Sequence, residues 1–130
     1  MPFVAIELSA AAATAERIGS LQTGVTALMA DILHKKPELT AVAVRTAVPG
    51  GWSVGGTGVP LGAHLCATVT AGTNTAEEKA RFIDAADRLL RAVLGPDLPL
   101  ATYVVVDERP ALSWGYGGLT QGERVGAAVA

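Results

Sequence analysis

The sequence predicts an α/β fold in which tandem, pseudo-symmetric β-α-β units form a four-stranded sheet with two helices on one face. Three observations support this prediction: short apolar runs alternate with amphipathic helical stretches, the same order of elements occurs twice in 130 residues, and matching residue types recur at a nearly constant distance. Thr75 follows Thr14 by 61 positions, and Trp114 follows Trp52 by 62. Repetition at a fixed period is typical of a duplicated structural unit.

The first unit begins with Phe3–Leu8, an apolar run that is too short for a helix and suits a buried strand. A helix is predicted from Thr14, a favourable N-cap with Glu16 in the first turn. Its apolar stripe consists of Ile18, Leu21, Val25, Leu28, Met29 and Ile32. Pro37 ends the helical pattern, and Thr40–Thr46 is the second predicted strand.

The second unit repeats this order. His64–Thr70 is a predicted strand, and Thr75 opens a helix as Thr14 does in the first unit. The apolar stripe of that helix consists of Ile83, Ala86, Leu90 and Val93. Tyr103–Val106 is the closing strand, and each tryptophan is followed by a glycine pair, Gly55-Gly56 or Gly117-Gly118. We interpret residues 1–130 as one domain made of two halves, about 1–60 and 61–130.

The crossover helix of each unit makes its two strands parallel and the connection right-handed, so both helices are expected on one face of the sheet. The runs Phe3–Leu8, Ala41–Val44 and Tyr103–Val106 do not alternate apolar with charged residues, as a half-exposed sheet would. Because two helices cover only one face, we expect a second copy of the chain to cover the other and predict a homo-oligomer. The alternative is a monomer with one weakly polar face.

Composition excludes several classes of function. The chain has ten basic and twelve acidic residues, a net charge of −2, and no basic stretch for a nucleic acid or an anionic membrane. The single cysteine, Cys66, cannot form an internal disulfide, and one thiol with two histidines makes a poor metal site. Neither a targeting segment nor a membrane-spanning run is predicted. We therefore expect a soluble protein of a reducing cytoplasm.

One motif matches a hydrolase signature. Gly51–Gly55 fits the G-x-S-x-G nucleophile elbow, in which the serine lies between a strand and an immediately following helix. Here Gly56–Pro60 follows, and this segment of glycines and a proline cannot begin a helix. We therefore interpret the match as accidental and do not predict a serine hydrolase.

Pro2 is the candidate catalytic residue. An initiator methionine followed by a small residue is normally removed, which would leave the Pro2 nitrogen as a secondary amine at the end of a buried strand. The pKa of an ordinary α-amino group lies near ~7.7–8.0, and burial or a neighbouring cation lowers it. A neutral amine is a competent general base, and its conjugate acid can return the proton. The alternative is that proline at position 2 is a chance occurrence.

Several segments resemble one protein family. Tyr103–Glu108 and Trp114–Gly118 resemble the closing segment of 4-oxalocrotonate tautomerase, and Val42–Val44 with Trp52–Gly56 resemble it again with a shorter loop. Lys35–Val42 is similar to macrophage migration inhibitory factor and its relatives, which are also fused double units. Together with the Met-Pro start, the whole chain resembles the tautomerase superfamily, whose members use the processed proline as catalytic base.

The resemblance implies roles for particular residues. Pro2 falls on the catalytic proline, and Lys35 falls on a lysine that meets the substrate carboxylate. Tyr103 falls on a pocket tyrosine that a neighbouring subunit supplies. Trp52 and Trp114 both fall on the aromatic wall of the pocket, and the sequence leaves open which of them faces Pro2. A helix dipole alone would also explain Lys35, and packing alone would explain the aromatic residues.

The chain also departs from the family pattern. Where 4-oxalocrotonate tautomerase has its two substrate-binding arginines, the two halves have Ala12, Ala43, Thr73 and Tyr103. A dicarboxylate substrate is therefore not expected, although Arg45 lies on the same predicted strand face as Ala43 and is a candidate substitute. Ala63 occupies the position of Pro2 in the second half, so one working amine per chain is expected.

The resemblance implies a keto–enol tautomerase that needs no cofactor or metal, acts on a small unsaturated or aromatic 2-keto acid, and forms a trimer with sites at subunit boundaries. Two alternatives stay open. A hydratase- or dehalogenase-like enzyme would keep Pro2 cationic and require a partner carboxylate such as Glu7 or Glu108. A non-catalytic binding protein would keep the fold without turnover.

Overall fold

A computed structural model describes residues 2–129 of the chain and the side chains of residues 2–126. The strands are β1 (Phe3–Leu8), β2 (Ala41–Thr46), β3 (Ser53–Val54), β4 (Thr57–Gly58), β5 (Ala63–Thr70), β6 (Tyr103–Arg109), β7 (Gly115–Tyr116) and β8 (Leu119–Thr120). The helices are α1 (Ala15–Asp31), α2 (Ala76–Leu94) and α3 (Gln121–Val129), with short 3₁₀ turns at Ala10–Ala12 and Pro37–Leu39. Each half therefore runs strand, helix, strand, hairpin.

Four strands form one mixed sheet in the order β2-β1-β5-β6. β1 is parallel to β2 and β5 is parallel to β6, as the crossover helices require, whereas β1 and β5 are antiparallel. The predicted fold of two β-α-β units in one four-stranded sheet is confirmed. Leu8 pairs with Ala63 and Phe3 pairs with Thr68, so Pro2 and Ala63 lie at opposite ends of the central strand pair.

The core lies between the sheet and the helices α1 and α2. Alternate residues of β1 and β5 are buried toward the helices, and each fully buried large apolar side chain contributes roughly 1.5–3 kcal/mol. The largest buried side chains are Val4, Ile6, Leu8, Leu21, Val25, Met29, Leu33, Leu65, Val69, Phe82 and Leu90. The buried face of α2 includes Phe82 and not the predicted Ile83, which is 40% exposed, because the stripe repeats in steps of four residues from Phe82 to Leu94.

Both predicted helix starts are confirmed. The Thr14 hydroxyl accepts a hydrogen bond from a first-turn backbone N–H at 3.2 Å, and Thr75 forms a reciprocal capping box with Glu78. α1 ends at Asp31, ahead of the proline that was expected to stop it. The chain then turns at His34, whose φ of 59° lies in the left-handed region that non-glycine residues seldom occupy.

Each tryptophan-and-glycine segment forms a β-hairpin, β3-β4 in the first half and β7-β8 in the second. The turn glycines have φ of 61° and 80° at Gly55 and Gly56, and 60° and 82° at Gly117 and Gly118. Positive φ at both central residues is what a tight hairpin turn of this kind requires, and glycine adopts it without steric cost.

The sequence pattern does not predict α3. This helix begins after Thr120, whose hydroxyl accepts a hydrogen bond from Glu123 N at 3.0 Å while its own backbone N–H donates to the Glu123 carboxylate at 2.7 Å. The pair is a second capping box. None of the three described helices is long and apolar enough to span a membrane.

The sheet face opposite the helices is open within the described chain. Phe3, Tyr103 and Val105 point to this face and are 42%, 68% and 38% exposed. Near the other end of β1, the strand register places Arg45, Glu7, His64 and Tyr103 in one row across the sheet. The open face therefore combines apolar side chains with one polar row.

Candidate active site

A cavity of about 250 Å³ lies at the start of β1. Its lining consists of Pro2, His34, Lys35, Lys36, Leu39 and Tyr116. The Pro2 ring is less than 2% exposed. The structure therefore brings together two of the residues that the sequence predicts for the site: Pro2, held by the first strand, and Lys35, carried by the loop after α1.

Lys35 lines this cavity from the loop that follows α1. After the left-handed turn at His34, the backbone N–H of Lys35 donates to the carbonyl of Met29 at 3.0 Å, closing the end of α1. The Lys35 Nζ donates to Thr73 Oγ1 at 2.9 Å. Partial burial lowers the pKa of Lys35, and the negative charge of Glu78 opposes that change. A cation thus lies on the cavity wall that also carries Pro2.

The turn between β5 and α2 holds the Lys35 loop. Asn74 Nδ2 donates to the carbonyl of Leu33 at 3.0 Å, and His34 Nε2 lies 3.0 Å from Glu78 Oε2. Hydrogen bonds from the Thr75 backbone and then from Asn74, with the nearby His34, lower the pKa of the Glu78 carboxyl. Residues of the second half therefore fix the position of a first-half loop.

Tyr116 is the aromatic residue of the cavity, and it is not among the site residues predicted from the sequence. It belongs to β7, so the hairpin of the second half covers the cavity of the first half. Arg124 lies over its ring, 3.6 Å from the centroid, and donates to the Tyr116 carbonyl at 2.7 Å. A side chain on Gly117 would collide with that guanidinium, because an added Cβ would lie 2.5 Å from it. The available sequence signal was an aromatic residue directly before the glycine pair.

A second, larger cleft of about 580 Å³ lies at the opposite end of β1. It contains Ala63 at the position equivalent to Pro2, together with Glu7, His64, Trp52 and Tyr103. Trp52 is fixed against the backbone there, since a Cβ on residue 62 would lie 2.3 Å from its ring. Within the chain, Trp52 and Tyr103 therefore belong to the Ala63 cleft and not to the Pro2 cavity, and this cleft has no N-terminal amine.

Two other candidate residues also lie outside the Pro2 cavity. Trp114 donates from Nε1 to Thr70 Oγ1 at 3.2 Å and is partly buried beside its own hairpin. Arg45 is exposed on β2 and pairs in register with Glu7, near the Ala63 end of the sheet. The sequence left open which tryptophan faces Pro2. Among the described residues, neither Trp52 nor Trp114 lines the Pro2 cavity.

The carboxylates that a hydratase-like mechanism would need lie elsewhere. Glu108 accepts a hydrogen bond from Lys79 Nζ at 2.8 Å, and this bond lowers the pKa of the Glu108 carboxyl. Glu7 lines the Ala63 cleft. Neither of the two is among the residues that line the Pro2 cavity in the described part of the chain.

Comparison with known proteins identifies first the class of fold. No family model matches the chain. The wild-type asymmetric trimer of the fused 4-OT named F6 is 27% identical with a TM-score of 0.81, over 94% of this chain and 98% of that chain. A macrophage migration inhibitory factor-like protein from Entamoeba histolytica is 22% identical with a TM-score of 0.73, over 92% and 97%, and shares the fold. The architecture is therefore that of a fused 4-OT.

A curated relative then identifies the family. The probable tautomerase K2 of Dickeya dadantii (strain 3937) is 39% identical over 59 residues, which are 45% of this chain and 88% of that protein. The chain belongs to the tautomerase superfamily, and the family predicted from the sequence is confirmed.

Proposed function

We propose that this chain is a cofactor-independent keto–enol tautomerase in which the Pro2 nitrogen is the general base and the substrate is a small unsaturated or aromatic 2-keto acid. The observation that carries the proposal is the shared cavity, in which the buried Pro2 ring and the cationic Lys35 lie together. Membership of the tautomerase superfamily supports the reaction type.

The environment of Pro2 suits a base that works at neutral pH. Once Met1 is removed, the Pro2 nitrogen is a secondary amine. Burial disfavours its ammonium form, and the positive charge of Lys35, which lines the same cavity, disfavours it further, so we expect an amine pKa below the ordinary α-amino range. A base must be neutral to accept a proton, so a lowered amine pKa increases the fraction of Pro2 that can act near pH 7.

The reaction needs only one proton carrier. The Pro2 nitrogen takes a proton from the carbon next to the carbonyl, the C–H electron pair forms the carbon–carbon double bond of the enolate, and the carbonyl π electrons move to oxygen. The protonated amine then returns the proton to that oxygen or to a conjugated carbon. The Lys35 ammonium binds the carboxylate, and Leu39 and Tyr116 contact the organic body of the substrate. The cavity volume fits a single-ring acid such as phenylpyruvate.

We further propose that the working form is a homotrimer. Phe3 and Val105 leave an apolar patch on the open sheet face, and burial of such a patch between copies is favourable. Tyr103 begins the edge strand β6 with a largely exposed ring, so it is available to the Pro2 cavity of a neighbouring copy. Light scattering tests this assembly: a particle of about three times 13.2 kDa supports it, and a monomer contradicts it.

Two variants test the catalytic role. Pro2→Ala replaces the rigid secondary amine, and a chain extended before Pro2 converts its nitrogen into a non-basic amide. A positioned general base contributes typically ~10²–10⁴-fold, so we expect the extended chain to lose about that factor in phenylpyruvate enolisation and Pro2→Ala to lose a smaller one. Unchanged rates in both variants would overturn the proposal. Intact mass must show that the active protein lacks Met1.

A further inference from the structure

We infer that Thr73 is a positioning residue for Lys35, and that the half of the chain with Ala63 in place of the proline fixes the carboxylate-binding group of the other half. This inference rests on the proposed function, because it concerns the same cavity. Thr73 lies on the turn from β5 to α2 and so belongs to the second half of the chain, whereas Lys35 belongs to the first half. The Lys35 Nζ donates a hydrogen bond to Thr73 Oγ1 at 2.9 Å.

The hydroxyl of Thr73 is oriented to accept. Its single proton is donated to the carbonyl of Thr70 at 2.6 Å, and its approach to Asn74 Oδ1, at 3.5 Å, is much longer. A lone pair is therefore left for the Lys35 ammonium, which can only donate. Two of the three ammonium protons stay available to a bound carboxylate.

The neighbouring contacts fix the backbone on which Lys35 stands. Asn74 binds the carbonyl of Leu33, and Glu78 pairs with His34, the one non-glycine residue with positive φ among those described. Glu78 is also the carboxylate whose negative charge acts on Lys35 and would attract it away from the cavity. The Glu78 carboxylate already contacts Asn74, Thr75 and His34. The Lys35 ammonium instead has the neutral Thr73 hydroxyl as its partner.

Among the residues that the structure describes, this arrangement occurs at the Pro2 end of the sheet and has no counterpart at the Ala63 end. In the sequence repeat, Thr73 and Asn74 correspond to Ala12 and Ala13, which have no polar side-chain atoms. The counterpart of Lys35 is Pro96 or Asp97, for an offset of 61 or 62, so it is not a cation. A general packing role would be expected in both halves. The restriction of these contacts to the Pro2 end indicates that they serve the site.

The test compares Thr73→Val, which keeps the shape and removes the hydroxyl, with Thr73→Ser, which restores it. Thr73 is exposed, so we expect both variants to fold, and Thr73→Ala serves as a second deletion. Thr26→Val is the matched control, because it removes a 2.8 Å hydroxyl hydrogen bond within α1 and away from the cavity. Calorimetry measures binding of 3-phenylpropionate, and kinetics compares phenylpyruvate with its methyl ester.

We expect Thr73→Val to weaken 3-phenylpropionate binding and to raise KM for phenylpyruvate about fivefold, the effect of one hydrogen bond, with kcat and the ester kinetics unchanged. Thr73→Ser restores both values, and Thr26→Val matches the parent protein. Equal effects on acid and ester would overturn the inference, as would no effect on either. Absence of carboxylate binding by the parent protein would also overturn it. If Pro2→Ala keeps full turnover while Thr73→Val still weakens binding, the proposed base is wrong and the positioning role stands.

Discussion

Replacing Lys35 by methionine removes the cation from the Pro2 cavity and keeps a side chain of similar length. A hydrogen bond to a charged group contributes about 1.5–3 kcal/mol, and about 1.4 kcal/mol corresponds to a factor of ten. Among the described residues, the hydrogen-bond partner of the Lys35 ammonium is the neutral Thr73 hydroxyl, so little of that contribution is already used within the protein. We therefore expect KM for phenylpyruvate to rise about 10–100-fold in Lys35→Met, with a much smaller change in kcat.

Steady-state kinetics of Lys35→Met over a pH series measures the rise in KM and also a change in the pKa of the Pro2 amine. Loss of the positive charge raises the pKa of the Pro2 amine, so the acid limb of the pH–rate profile should move to higher pH. Lys79→Met is the control, since it removes a lysine whose partner is Glu108 and which lies outside the cavity. An unchanged KM in Lys35→Met, or an equal rise in Lys79→Met, would refute the assignment of Lys35 as the carboxylate-binding group.

Two further predictions concern the scaffold. Gly62→Ala should lower the free energy of unfolding by about 1–3 kcal/mol, because the new Cβ would lie 2.3 Å from the Trp52 ring. Denaturant unfolding measures this change in stability, and an unchanged unfolding midpoint would contradict the packing of Trp52 against Gly62. Glu78→Gln should destabilise the protein at neutral pH and not in acid, because the pKa of the Glu78 carboxyl is lowered in the folded chain. Its stabilisation is present above the unfolded pKa and is lost as the pH falls through the folded pKa. Unfolding curves in a series downward from pH 7 test this, and a difference between the two proteins that does not shrink as the pH falls would contradict it.

The fold could be predicted because its signals are local and occur twice. Thr14 and Thr75 each mark a helix start, and each helix fixes the direction of the strands around it. The α2 stripe was misassigned by one residue, since Phe82 and Ile83 are both apolar and only packing decides which of them is buried. α3 was missed because its two glycines weaken a helical pattern, although the Thr120–Glu123 capping box was visible in the sequence.

The lining of the candidate site was predictable in part. Pro2 and Lys35 share a cavity, as the family resemblance implied. Tyr116 was missed, and Trp52 lies in the other cleft, because the sequence repeat does not reveal that each hairpin covers the cavity of the opposite half. The Thr73 contact was equally hidden, since it joins residues 38 positions apart across the repeat. These features depend on how the two halves meet, and local sequence patterns carry no signal for that.

The protonation of the nitrogen at Pro2 is the property on which the catalytic account depends, and NMR titration of ¹⁵N-proline-labelled protein measures it directly. The account predicts one proline nitrogen that titrates as an amine, with a pKa below the ordinary α-amino range of about 7.7–8.0. A Pro2 nitrogen that never titrates, as in a peptide bond, or one that titrates within or above that range, would contradict it.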